Sequence, residues 1–412
     1  MNKLKLYILS LSLLFGADSF SQSVEELLKE VVENNPDLKS LNADFEAERS
    51  KVDQVSQLPN PTIGSGIPVL RPETRLGPQI VMVSASQMFP WFGTLGAKED
   101  VVISMSKAKF EKIALKKLEL FYLLKASYFR INYYTLRLSI IQKSLEIYKS
   151  LENIALAKVE SGQTLTSDVL RIQLKIQELE NEIPLINNEV TSLQYLINQL
   201  TNSDLSRKIT VEDEITEIDS LNFDTTIFMK KIRMHHPMIA TLDYKIEASE
   251  NMQIANRKMN APTLGVGVDY SLVGERTDAN PVDNGRDILI PKVMLTIPLF
   301  RKSYQSKIQE EEFAQESLQY QKESFLNDVL TKLMQYKLEY DNALLNIGLH
   351  ENQFNTTQKA LEILLVNYSS TGKGFDEVLQ LENQLLNHEV AVIKYKLQLK
   401  LAKAKIERFT EF

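Results

Sequence analysis

Shifted against itself by 201 positions, the chain matches without a gap from Asn34 to Gly66. Pro36 falls on Pro237, Leu41 on Leu242, Glu46 on Glu247 and Ala47 on Ala248. The stretch LPNPTIGSG, with Pro61, Thr62, Gly64 and Gly66, meets MNAPTLGVG, with Pro262, Thr263, Gly265 and Gly267. With a longer insert in the second half, MFPWF (Met88–Phe92) meets TIPLF (Thr296–Phe300). Further on, VESGQTLTSDVL (Val159–Leu170) meets YSSTGKGFDEVL (Tyr368–Leu379). Three matches in one order mean two copies of a single unit, so whatever the first copy folds into must be built twice.

Each copy reads as helix, strand, strand, very long helix, glycine-marked turn, helix. In the first, a helix over roughly Val24–Gln57 breaks near Asn35-Pro36, and strands follow at about Thr62–Leu70 and Gln79–Phe89. From Leu95 to Glu160 there is no proline and, after Gly96, no glycine. Leu118, Tyr122, Phe129, Tyr133, Leu136 and Ile140 recur there at helical spacings. A helix of that length measures on the order of 90 Å at 1.5 Å per residue, more than a globular core needs. After SGQT a second helix over Ser167–Leu200, with Pro184 expected to kink it, returns antiparallel. Residues 201–233 read as polar and irregular. The second copy then predicts a helix at 236–258, strands at 263–273 and 289–299, a helix from Ser303 to Tyr368 and another over Phe375–Arg408.

The strands alternate. Leu264, Val266, Val268, Tyr270 and Leu272 share one face, with Gly265, Gly267, Asp269 and Ser271 on the other. Val293, Leu295, Ile297 and Leu299 likewise oppose Lys292, Met294 and Thr296. Such a pattern serves a membrane β-barrel or a half-buried soluble sheet equally well. The start of the chain bears on the choice. Lys3 and Lys5, the apolar run Leu6–Phe15 and the small residues Ser19 and Ser21 predict a signal peptide over 1–21, cleaved before Gln22. No later segment has the length and apolarity of a membrane helix. Four strands cannot close a membrane barrel, which takes at least ~8, and an open sheet in lipid leaves unsatisfied edges. If these strands enter a membrane, several chains must pool them. Three copies would supply twelve strands and about twelve long helical rods, a barrel joined to a helical tube.

The order of elements, the strand exits FPWFG (Phe89–Gly93) and IPLF (Ile297–Phe300), and the two glycine-marked turns resemble the TolC-type outer-membrane efflux proteins. The resemblance covers essentially the whole mature chain. It implies a mainly α fold with a small β part. The assembly it implies is a homotrimer, with an α-helical barrel through the periplasm and a twelve-stranded transmembrane β-barrel to which each chain gives four strands. The implied organisation is a first repeat over 22–200, an equatorial linker over 201–234 and a second repeat over 235–412. Such a protein passively conducts substrates delivered by an inner-membrane pump, here expected to be of the RND type, and a periplasmic adaptor. MFPWFGTL and NYSSTGKGFDEVL look closest to the heavy-metal branch of the family, including copper and silver exporters. Metal ions and small toxic compounds both remain open as substrates.

By the same resemblance, the two turns are the tips that meet the adaptor, with Gly162, Thr164 and Leu165 in the first copy and Gly372, Gly374 and Phe375 in the second. Asp168 and Glu377 take the places of acidic residues lining a closed periplasmic end. Ser167, Tyr368 and Lys373 match members of the network that holds it shut, Lys373 replacing an arginine. Gln380 stands where a second acidic ring residue is expected, so the acidic constriction is weaker here or shifted to Asp376. Read from the residues alone, Asp168 and Glu377 are also acids in a helix's first turn, where the macrodipole favours them.

Other chemistry finds little support. The net charge is −7 with scattered Lys and Arg, which argues against a nucleic-acid surface. Without cysteine there is no disulfide, thiolate site or thiol nucleophile, nor lipidation at an N-terminal cysteine. His235-His236 precedes a proline and overlays Asn34-Asn35, which predicts a polar role at a helix start rather than metal ligation. Met82, Met88 and Met294 lie on strands, where gap-filling or lining is the default over Cu(I) contact. No catalysis and no cofactor are predicted. The competing reading is a periplasmic adaptor or coiled-coil spacer without a pore, although adaptors usually carry one helical hairpin and more extensive β domains. An autonomous porin fails for want of strands.

Overall fold

The computed structural model describes residues 22–212, 215, 218, 220–371 and 374–411. The expected signal peptide, Gly372 and Lys373 lie outside these. The chain is mainly helical: α1 (Val24–Asn34), α2 (Pro36–Arg49), α3 (Lys51–Val55), α4 (Thr94–Glu160), α5 (Thr166–Thr201), α6 (Thr225–His235), α7 (Pro237–Met259), α8 (Lys302–Thr371) and α9 (Phe375–Thr410). The strands are β1 (Thr62–Gly66), β2 (Glu73–Thr74), β3 (Gly77–Phe89), β4 (Thr263–Val273) and β5 (Ile288–Thr296). Pro184 lies inside α5.

Two compact units contain these elements. One holds the chain up to Asn35, Leu120–Leu221 and Tyr336–Lys405; the other holds Pro36–Glu119, Asn222–Gln335 and Ile406–Phe412. In the first unit, α5 buries Val169, Ile172, Ile176 and Leu179 at the alternating three- and four-residue spacing of a coiled-coil seam, and Ile186 one heptad further on. Leu124, Tyr128, Ile131, Ile141, Tyr148 and Ala155 form the buried stripe of α4. From α9 come Phe375, Val378, Leu386 and Ile393, and within that stripe Glu382 is buried as well. The connecting segment is pinned to α4. The Tyr128 hydroxyl donates to the Gln22 carbonyl and accepts from the Glu212 amide, each at 2.9 Å, while Asn132 donates to the Glu212 carbonyl at 2.8 Å. Arg207 forks onto Glu30 at 2.6 and 2.9 Å.

The helix breaks follow local chemistry. Ser23 caps α1 by accepting from the Glu26 amide at 3.3 Å, and Asn35, extended before Pro36, ends it. Asp224 caps α6 by accepting from the amides of Thr226 and Ile227 at 2.8 and 3.1 Å. Within 201–233, which the polar pattern predicts to be irregular, the chain is helical from Thr225 onward. The polar run around Asp224 is a cap rather than a continuing loop. The offset of 201 carries Val24–Asn34 onto Thr225–His235, Pro36 onto Pro237 and Thr62 onto Thr263, so the bounds of these elements share the register of the sequence match. As the sequence suggested, His236 serves the start of α7: its Nδ1 accepts from the Met238 amide at 3.1 Å. Burial, with Arg408 adding to it, lowers the His236 pKa to about 4, which keeps that nitrogen free to accept.

The sheet, in the second unit, is antiparallel in the order β1-β3-β4-β5, with β2 paired to the start of β3. Gly77 opens β3 at φ +136°, and a Cβ there would stand 1.7 Å from the Gly274 carbonyl oxygen, so only glycine fits. β1 stops at Gly66 rather than at Leu70 because Pro68 has no amide to give; Ile67, Val69 and Leu70 are exposed. β5 carries Pro291 within it, as an edge strand can, and ends at Thr296, two residues ahead of Pro298.

Candidate functional site

Two regions carry residues that a core would not explain: the turns joining the long helices, and the faces of the sheet. The turn after α4 is closed by a Schellman motif. The Gln163 amide donates to the Lys158 carbonyl at 2.8 Å and the Gly162 amide to the Val159 carbonyl at 3.0 Å, with Gly162 at φ +73°. This turns the chain sharply, and α5 starts after Leu165, whose side chain is 71 % exposed. Thr164 Oγ1 donates to Asp168 Oδ2 at 2.7 Å, so the acid of the first turn of α5 is tied to its own turn.

The second turn meets the first through Lys158. Its Nζ donates to the Tyr368 carbonyl at 2.9 Å and lies 3.7 Å from the centre of the Tyr368 ring. Tyr368 is buried against Phe375, their centroids 5.3 Å apart. Burial pushes the Tyr368 phenol up, with the Asp168 carboxylate adding to the shift, and the hydroxyl has no hydrogen-bond partner among the described residues. Across α5 and α9, Arg171 pairs with Asp376, which holds the guanidinium above its ordinary pKa. Of the positions singled out from sequence, Asp168, Asp376, Tyr368, Thr164 and Phe375 thus enter one set of contacts. Glu377 lies exposed in the first turn of α9, its carboxylate close over Gly374. Ser167 and Leu165 face solvent. Two members of the set, Lys158 and Arg171, were not anticipated; Gln380 lines a groove beside Arg171, Lys175 and Asp376.

The sheet inverts the ordinary rule of burial. On β4, Leu264, Val266, Val268, Tyr270 and Leu272 are exposed by 37–51 %, while Gly265, Asp269 and Ser271 are buried. Ser84 on β3 pairs with Asp269, and Val83 with Tyr270, so the faces continue across strands. Asp269 is ion-paired to Lys292 of β5 on the sheltered face. Met88 and Met294 flank Gly265 on that same face. Outward, β5 shows Val293 at 82 % exposure and Leu289 at 67 %. At the strand exits Phe89, Trp91, Phe92 and Phe300 are exposed, the last two by 79 and 88 %. No helix among the described residues is long and apolar enough to cross a membrane, and none of their His, Asp and Glu side chains form a group of three able to hold a metal ion.

No family model matches the sequence, and no curated protein matches it. Solved structures do match the fold. The outer-membrane channel OprN superposes with a TM-score of 0.76 at 15 % identity, covering 94 % of this chain and 89 % of that one. CusC, described through its folding and transmembrane channel formation, gives 0.75 at 16 % identity over 94 % and 91 % of the two chains. The open state of the MtrE outer-membrane channel of Neisseria gonorrhoeae gives 0.75 at 13 % identity over 94 % and 88 %. This chain has the fold of these outer-membrane channels.

Proposed function

We propose that this chain is the outer-membrane duct of a TolC-type efflux system and has no catalytic role. Three copies join their sheets into a twelve-stranded barrel and their helices into a periplasmic tube. The observation that carries the reading is β4, which turns Leu264, Val266, Val268, Tyr270 and Leu272 outward and shelters Asp269 and Ser271. That is the arrangement of a strand with lipid outside and a polar lumen inside. The exposed aromatics at the strand exits suit the headgroup level of a bilayer. A spacer protein without a pore leaves these apolar faces with nothing to cover them.

In this reading residues 1–21 are removed on export, 22–200 and 235–412 are the two repeats, and 201–234 is the equatorial linker. The helix turns meet a periplasmic adaptor, which connects the duct to an inner-membrane pump of the RND type. Asp168, Asp376, Glu377, Ser167, Tyr368 and Lys373, joined by Lys158 and Arg171, form the gate. A closed end held by a few ion pairs and hydrogen bonds is a bistable element that a partner opens. Metal ions and small toxic compounds are the substrate classes, the selection being made by the pump.

Fractionation of cells expressing the full chain tests the proposal. The expected result is a detergent-extracted trimer from the outer membrane, beginning at Gln22 and conducting in planar bilayers. A soluble monomer recovered without detergent would overturn it.

A further inference from the structure

His350 on α8 and His388 on α9 bring their Nδ1 atoms to 3.1 Å. The ring centroids are 5.4 Å apart at 44°, and His350 stacks on Tyr395 at 5.4 Å and 18°. Both imidazoles are half-buried. A neutral imidazole carries one N–H and one lone pair, so this contact is satisfied when one Nδ1 donates and the other accepts. It is satisfied equally when one ring is charged and the other neutral. A second proton removes the acceptor. Two N–H groups and two positive charges then face each other at contact distance.

We propose that His350 and His388 form a proton-sensitive clasp between α8 and α9, closed in its neutral and singly charged forms and released by the second proton. Among the described residues no carboxylate pairs with either ring. On α8 Glu351 is engaged by Lys396 of α9 at 3.8 Å. Glu351 and Glu389 border a groove whose α4 side consists of the uncharged Leu136, Ser139 and Ile140. Burial, followed by the neighbouring His350 ring, holds His388 below the usual histidine range. Acidification therefore acts on the hairpin that ends in Tyr368 and Phe375, as protonated histidine pairs act on other interfaces.

Because the chain has no cysteine, two introduced thiols label it uniquely. Asn352→Cys and Asn387→Cys, on exposed positions beside the pair, carry spin labels in the intact detergent-solubilised protein, diluted with unlabelled chain. The expected result is a reversible lengthening or broadening of the label distance between about pH 6.5 and about pH 4, reaching below the ordinary histidine range because the second proton is the one that opens the clasp. His350→Gln and His388→Gln should each abolish it. Should one of them fail to fold, the other gives the same readout, as does histidine-selective NMR, in which one ring titrates well below its partner. Unchanged distances in the parent, or a shift that persists in His388→Gln, would overturn the clasp. So would a response to Zn²⁺ at pH 7.5 with none to protons. The readout concerns one hairpin and stands whether or not the chain forms a duct.

Discussion

The ammonium of Lys158 rests 3.7 Å from the centre of the Tyr368 ring while donating to the carbonyl of the same residue, so one side chain grips one residue at two points, ring and backbone. The grip joins the end of α4 to the end of α8 through the ring face and the backbone, leaving the buried Tyr368 hydroxyl out of it. Lys158→Met should cost about 1–2 kcal/mol at this contact, a cation–π interaction plus a charge-assisted hydrogen bond. In planar bilayers its basal conductance should rise. Tyr368→Phe removes only a buried hydroxyl that has no partner among the described residues and should leave conductance unchanged.

The Arg171 pair with Asp376 is exposed on both sides, so its contribution is set by ionic strength. Arg171→Glu should raise the open fraction at low salt and have little effect near 1 M salt. Adding Asp376→Arg should restore the parent's salt dependence. Conductance measured against salt for the three proteins checks this.

Glu382 occupies a position in the seam of α9 where an apolar residue belongs, and burial raises its pKa. The folded state therefore binds a proton more tightly than the unfolded chain. Stability falls as pH rises from the unfolded value, near 4.5, through the raised folded one. Glu382→Gln should stabilise by about 1 kcal/mol at neutral pH, a typical single-site effect, and by much less near pH 4. Thermal midpoints of parent and variant at the two pH values decide it.

Val266 and Ser84 stand on opposite faces of the sheet. If Val266 faces lipid, Val266→Lys should cost ~2–4 kcal/mol near the bilayer midplane and deplete the outer-membrane fraction. Ser84→Lys, beside Asp269, should insert normally. A half-buried soluble sheet would tolerate Lys outward and reject it on the sheltered face, so the ratio of the two yields separates the readings.

Much of the fold was legible because it is periodic. The bounds of β4, Thr263–Val273, follow from strict alternation between a proline and a glycine, and α4 from the lack of breakers between Gly96 and Glu160. α6 was missed because eleven residues with a short apolar stripe look like a linker unless Asp224 is taken as a cap. The turns themselves were found through Gly162 and Gly374, whose backbones need positive φ. Their fastenings were not. Lys158 meets Tyr368 across 210 residues and Arg171 meets Asp376 across 205, and which faces two helical hairpins turn to each other is set by packing. A lysine in a helix's last turn carries no mark of the ring it will cover.

The strand order β1-β3-β4-β5 gives every chain two unpaired edges, one on β1 and one on β5. On the reading proposed above, each edge finds its complement only on another chain, and no intermediate with fewer than three chains is free of an edge. Insertion is then a reaction of high kinetic order. Its rate should climb far more steeply than linearly with the amount of exported chain, and a modest fall in synthesis should remove most of the working ducts.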